Sequence, residues 1–115
     1  MPEKISFEDF AKLDLRVGKI LNVQEVEDSN KLYKLLVRVG TQEKTLVAGI
    51  AEHYAPDELL GKKIIVIANM KERKIKGVES QGMLLAAVPD SEEPPSKICL
   101  LTVDDQEMPD NSKIC

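Results

Sequence analysis

Residues 15–26 constrain the fold more than any other stretch of the chain. Leu15, Val17, Leu21 and Val23 share one strand parity, and Ile20 and Val26 share the other. Successive side chains of a strand point to opposite faces, so a half-buried strand alternates cleanly. Here the alternation is imperfect, and both faces carry apolar residues. Gly18 lies inside the run. A glycine within a strand marks a bulge or a sharp bend. Small closed barrels need such bends, because one long strand must serve two sheets.

Further strand signals follow at short intervals. Asp28-Ser29-Asn30 is a turn cluster. Residues 33–39 alternate Tyr33, Leu35, Val37 and Val39 against Lys34, Leu36 and Arg38. Gly40-Thr41-Gln42 closes a tight hairpin onto a third strand at 43–48. Residues 56–61 read as a short helix, with Pro56 in its first turn, Asp57 and Glu58 at its N-terminal end and Gly61 just past its end. The β-branched run Ile64-Ile65-Val66-Ile67 makes 62–70 a buried fourth strand. A basic loop starts at Lys71, residues 81–88 form a fifth strand, and Pro89 ends it. After an acidic linker at 90–96, residues 98–103 suggest an additional strand, and 104–115 a loose polar tail. Before all this, residues 5–13 suit a short helix or turn, packed on the body by Phe7, Phe10 and Leu13. The order strand, strand, strand, helix, strand, strand is that of the OB-fold, a partly open five-stranded barrel. The expectation is a single all-β domain with short helices over residues 1–115. It divides into an N-terminal segment at 1–13, a barrel at 14–88 and a C-terminal extension at 89–115.

Chemistry-bearing groups are sparse. His53 is the sole histidine, and Cys99 and Cys115 form no CxxC pair. Zinc wants about four close soft or nitrogen ligands, so no metal site is expected. Cys99 is expected to be buried and Cys115 free. No GxSxG elbow or P-loop occurs, and a general base needs a positioned partner, so neither a cofactor nor an enzyme is expected. There is no apolar run of membrane-spanning length and no signal peptide, so the expected location is the cytoplasm.

The formal net charge is −4, but it is unevenly spread. Residues 1–60 carry −3, residues 61–78 carry +5 and residues 79–115 carry −6. A phosphate ligand feels the local field, because charges beyond a Debye length of about 8–10 Å are screened. Lys71, Arg73, Lys74 and Lys76 fall within six residues. In an extended loop Lys74 and Lys76 share a face, with Ile75 turned inward. Gly77 lets the loop turn back, and Ser80 and Gln81 offer donors to phosphate or the ribose 2′-hydroxyl. Binders of single strands stack bases on aromatic platforms. This chain has no tryptophan, and only Phe7, Phe10, Tyr33 and Tyr54. The phenylalanines and Met70 are expected in the core, and Tyr33 suits either the barrel or one stacked base. The inventory therefore favours recognition of a structured RNA by shape and backbone.

Several segments in order resemble one known module. They are Asp14-Leu15-Arg16-Val17-Gly18-Lys19-Ile20, Lys31-Leu32-Tyr33, Leu46-Val47-Ala48-Gly49-Ile50-Ala51, Leu59-Leu60-Gly61-Lys62, and Asn69-Met70-Lys71 followed by Ser80-Gln81-Gly82-Met83-Leu84-Leu85-Ala86. The module is the tRNA-binding OB domain of methionyl-tRNA synthetases and of free-standing tRNA-binding proteins, and the likeness runs over about residues 7–115. It implies a non-catalytic barrel that docks on the outer corner of tRNA with little discrimination among species. It implies RNA-facing positions at Lys31, Asn69, Lys71, Arg73, Lys74, Lys76, Ser80 and Met83. It also implies a homodimer built by the C-terminal extension, and a methionyl-tRNA synthetase catalytic subunit as a partner. Because residue 1 is Met, a separately encoded subunit or independent tRNA-binding protein is expected. The sequence departs from the family pattern at Glu27-Asp28-Ser29-Asn30, at Glu72 and at Asp110-Asn111. Short relatives described as export chaperones supply the alternative, a peptide-binding dimer with an apolar groove.

Overall fold

The computed structural model describes residues 2–115. Its longest strand, β1 (Leu15–Glu25), does serve two sheet edges. Residues 19–25 pair antiparallel with β2 (Tyr33–Val39), and residues 15–19 pair antiparallel with β4 (Lys63–Ile67). Strand β3 (Gln42–Ala48) pairs with β2 beyond a two-residue turn. Seven further elements occur among the described residues: α1 (Phe7–Ala11), α2 (Pro56–Leu59), β5 (Arg73–Ile75), β6 (Val78–Ser80), β7 (Met83–Leu84), β8 (Ala86–Ala87) and β9 (Cys99–Leu100). The main sheet has the order β3-β2-β1-β4-β7 and curls into an OB-like barrel.

Two features of β1 explain its mixed faces. A Cβ on Gly18 would lie 2.6 Å from Val37 Cγ1 and 2.9 Å from Val66 Cγ2, so only glycine lets β2 and β4 close over this point. Further on, Ile20 pairs with Val37 and Asn22 pairs with Leu36, which leaves Leu21 bulged. An extra residue in one strand exchanges its faces from there on. Ile20 therefore points into the core before the bulge and Val23 packs against it after the bulge, while Asn22 and Gln24 turn outward. The core gathers Ile20, Tyr33, Leu35, Val37, Leu46, Leu59, Ile64, Val66, Leu84 and Leu100 among others. Leu15 and Val17, on the opposite face, are buried as well.

The tail is not loose. Val17 N donates to Ser112 O (2.9 Å), Asn111 N to Val17 O (2.7 Å) and Ile114 N to Leu15 O (2.9 Å). These bonds fill the edge of β1 that β2 has left. The Arg38 Nε–Asp110 Oδ2 pair, at 2.6 Å, fixes the start of that segment.

Several expectations are corrected. The fourth strand spans only Lys63–Ile67 instead of 62–70. The fifth strand is broken in two: β7 stays on β4, while β8 leaves to pair with β9. The additional strand is only Cys99–Leu100, and Cys99 is exposed rather than buried. Helix α1 is capped by Ser6 Oγ, which accepts from Asp9 N at 3.1 Å, but it buries nothing. Phe7 is 77% exposed and Phe10 36%, their rings meeting each other at 6.2 Å between centroids. Met70 is 44% exposed. Apolar spacing identifies a face and does not say whether anything covers it. Tyr33 is a barrel residue: it is buried, and its hydroxyl donates to Tyr54 O at 2.7 Å.

Candidate nucleic-acid interface

The basic stretch expected as a loop is a β-hairpin. Arg73 faces Ser80, Lys74 faces Glu79 and Ile75 faces Val78. Lys76 (φ 52°) and Gly77 (φ 78°) make the connection. Two consecutive left-handed residues match the right-handed twist of hairpin strands, and the lysine costs about 1–2 kcal/mol there against glycine. Strand alternation puts Arg73, Ile75, Val78 and Ser80 on one side, with Ile75 and Val78 half-buried. Lys74 and Glu79 take the other side, an opposite-charge pair across the strands. Lys71, Arg73, Lys74 and Lys76 are all exposed. The three ion pairs among the described residues involve none of them. Two other cations, Arg16 and Arg38, are occupied by Asp14 and Asp110.

The hairpin is rooted by side chains that imitate a strand. Gln81 N donates to Thr45 O (2.7 Å), and its Oε1 accepts from Thr45 N (2.8 Å). Ser80 Oγ accepts from Val47 N (3.1 Å) and donates to Gly82 O (3.0 Å). Three of these four bonds fall on the outer edge of β3, at Thr45 and Val47, and link it to the segment that leads into β7. Gly82 is required beside them, because a Cβ there would lie 2.9 Å from Ile67 O.

The expected site residues divide accordingly. Ser80 is 2% exposed, and its hydroxyl is fully engaged within the protein. Asn69 accepts from Asp14 N (2.9 Å) and donates to Lys12 O (2.7 Å), tying the base of the hairpin to the segment before β1. Met83 sits half-buried in β7 and lines a recess with Met70, Ile75, Lys71 and Arg73. Lys31 lies exposed in the β1–β2 connection, and its carbonyl accepts from Ala51 N at 3.0 Å. Residue 81 bonds residue 45 and residue 80 bonds residue 47, so the hairpin runs antiparallel to β3. Its tip therefore points past the C-terminal end of β3, where Lys31 is also held. Lys76 at the tip and Lys31 thus lie toward the same end of the barrel, whereas Lys71 stays at the base of the hairpin, beside Asn69.

The sequence reading missed the hairpin and the bonding role of Gln81. The signal for the hairpin was present: Arg73-Lys74-Ile75 and Val78-Glu79-Ser80 flank a Lys-Gly pair. No group of three or more His, Cys, Asp and Glu side chains that could hold a metal ion occurs among the described residues. No helix among them is long and apolar enough to cross a membrane.

Comparison with known proteins bears on this surface. Residues 15–110 match the family model described as "Putative tRNA binding domain". Over 105 residues the chain is 49% identical to the methionine–tRNA ligase of Thermotoga maritima, which covers 91% of this chain and only 16% of that ligase. The crystal structure of a MetRS-related protein from Pyrococcus horikoshii superposes with a TM-score of 0.89 at 36% identity, covering 99% of this chain and 100% of that one. The chaperone CsaA of Bacillus anthracis superposes with a TM-score of 0.85 at 28% identity, covering 98% and 100%.

Proposed function

The chain belongs to the tRNA-binding domain family, and from that premise we propose that it is a non-catalytic, structure-selective tRNA binder serving a methionyl-tRNA synthetase in the cytoplasm as an auxiliary subunit. The observation that carries the reading is the hairpin at 73–80. Its three cations, with Lys71 just before it, take part in no ion pair among the described residues and project from a barrel that has few aromatic groups to offer as base platforms. Lys31, Lys71, Arg73, Lys74 and Lys76 would meet phosphates, and Met83 would give an apolar contact beside them. Asn69 and Ser80 would act from behind, by holding the hairpin. A surface of this kind follows the shape of a folded RNA without reading its bases.

The C-terminal extension is proposed to build a homodimer. Val88, Leu101 and Met108 are exposed apolar side chains on or beside it, the kind of surface that a second copy covers. The same surface favours the second reading, a peptide-binding dimer, which draws on the likeness to the chaperone CsaA.

The test is a titration of bulk tRNA at two salt concentrations, with a single-stranded oligonucleotide as control. The expected result is tRNA binding that weakens steeply with salt, by about 0.7–0.9 in logarithmic slope per phosphate contact, and no comparable binding of the oligonucleotide. Absence of tRNA binding at low salt, with salt-insensitive capture of apolar peptides, would favour the second reading instead.

A further inference from the structure

At the β2–β3 turn the core rows of the barrel end in polar side chains. Arg16 has the strand parity of Gly18 and Ile20, and Lys44 that of Leu46, so both continue core-facing rows outward. With Asp14, Thr41, Gln42 and Asn111 they line a pocket of about 250 Å³, whose apolar lining is Val39 and Ala68. Asn111 reaches it from the tail. Glycine at position 40 (φ 66°) makes room for its amide, since a Cβ there would lie 2.8 Å from Asn111 Nδ2. The pocket holds two cations against one carboxylate, and that carboxylate, Asp14, already accepts from Arg16 Nε at 2.7 Å. Arg16 Nη1 donates to Asn111 O at 3.2 Å, which leaves the remaining edge of the guanidinium open. Lys44 is half-buried and joins no ion pair among the described residues. The site therefore has an ammonium and a guanidinium edge to offer, beside two neutral amides and a hydroxyl.

We propose that this pocket binds a small phosphomonoester of the size of a sugar phosphate, at a place apart from the RNA surface. Lys44 and the open edge of Arg16 take the phosphate oxygens, and Asn111, Gln42 and Thr41 take the hydroxyls of the attached polyol. Charge-assisted donors suit an oxyanion, and neutral groups that both donate and accept suit hydroxyls, which do the same. The volume lies just below the roughly 300–1,000 Å³ of sites for drug-sized ligands, so the occupant is smaller than those. Position separates the pocket from the hairpin. Gln42 and Lys44 lie in the N-terminal half of β3, whereas the hairpin tip points past its C-terminal end. An occupant bridges β1, the β2–β3 turn and the tail, and so holds residues 111–114 on the barrel.

The full chain is titrated calorimetrically with ribose 5-phosphate, with inorganic phosphate and with ribose, in a buffer free of phosphate. Ribose 5-phosphate is expected to bind one to one, inorganic phosphate more weakly and ribose not at all. Lys44→Gln keeps the side-chain stem and removes the charge, and circular dichroism checks its fold. It should weaken ribose 5-phosphate binding by about ten- to a hundredfold, the worth of a charge-assisted hydrogen bond. The same variant should keep the tRNA affinity and salt slope of the unmodified chain, and Lys74→Glu with Lys76→Glu should keep the ribose 5-phosphate affinity. In hydrogen exchange, ribose 5-phosphate should slow the amides of Asn111 and Ile114, which bond to Val17 O and Leu15 O. No binding of either phosphate, undiminished affinity in Lys44→Gln, or loss of binding in the hairpin variant overturns the proposal. A lowered tRNA salt slope in Lys44→Gln overturns it too, by putting the pocket on the path of the RNA.

Discussion

Ser80 shows how a side chain can matter to a binding surface without touching the ligand. Its hydroxyl is the acceptor for Val47 N, a donor with no other route to a partner in the closed barrel. Ser80→Ala is expected to lower the unfolding free energy by about 1–3 kcal/mol, the cost of leaving a buried donor unsatisfied. Urea denaturation would show this as a lower midpoint at unchanged slope, and an unmoved midpoint would remove the closure role. The exposed cations should behave in the opposite manner. Lys74→Glu with Lys76→Glu is expected to abolish tRNA binding while thermal stability stays within a degree or two, since surface changes away from packed features cost about 0.5 kcal/mol or less. The one added risk is Lys74→Glu facing Glu79, a like-charge pair across the hairpin. Unfolding of that variant would count against the hairpin geometry.

At the level of elements, the strands that alternate cleanly were legible in the sequence. Strand β2 reads as buried and half-buried in strict turn, from Tyr33 to Val39. Strand β1 was legible as a long irregular strand, but Gly18, expected as a bulge or bend, instead leaves room for Val37 and Val66, and the bulge at Leu21 was not legible, since periodicity averages over a single inserted residue. The basic stretch shows the limit for the site. Its residues were identified from charge, but their sorting into contacts and supports depends on Ser80 and Asn69 reaching residues 33 and 55 positions away. The tail illustrates the same limit, because residues 111–114 carry no strand pattern and are ordered by an edge that β1 presents. Truncation after Pro109 removes the three backbone hydrogen bonds to β1 and the Arg38–Asp110 pair. At about 0.5–1.5 kcal/mol for each bond, the loss should be roughly 2–4 kcal/mol in urea denaturation. A truncated chain as stable as the full one would show that the tail merely rests on the barrel.

Considered whole, the molecule separates its charges and its apolar patches. The segment 61–78 holds +5 and the remainder −9, and four of its six cations lie in or just before the hairpin. Such a concentration of charge orients a polyanion during approach. The exposed Leu101 is the natural probe of self-association. Leu101→Glu is expected to turn a dimer into a monomer in sedimentation velocity, with the tRNA affinity of each barrel kept and only the gain from two-point attachment lost. An unmodified chain that sediments as a monomer at tens of micromolar would end the dimer proposal.

The bond from Ile114 to Leu15 gives this architecture one more property. Residue 14 and the chain end lie side by side on one border of the barrel, while the basic hairpin grows from the root at Thr45 and Val47. A domain whose entry and exit coincide can be spliced into a loop of a host, or have its ends joined and reopened elsewhere, with little disturbance to its interior. Portability of that kind suits a module that recurs inside proteins many times its own length, and it makes this barrel a ready cassette for lending RNA affinity to an unrelated scaffold.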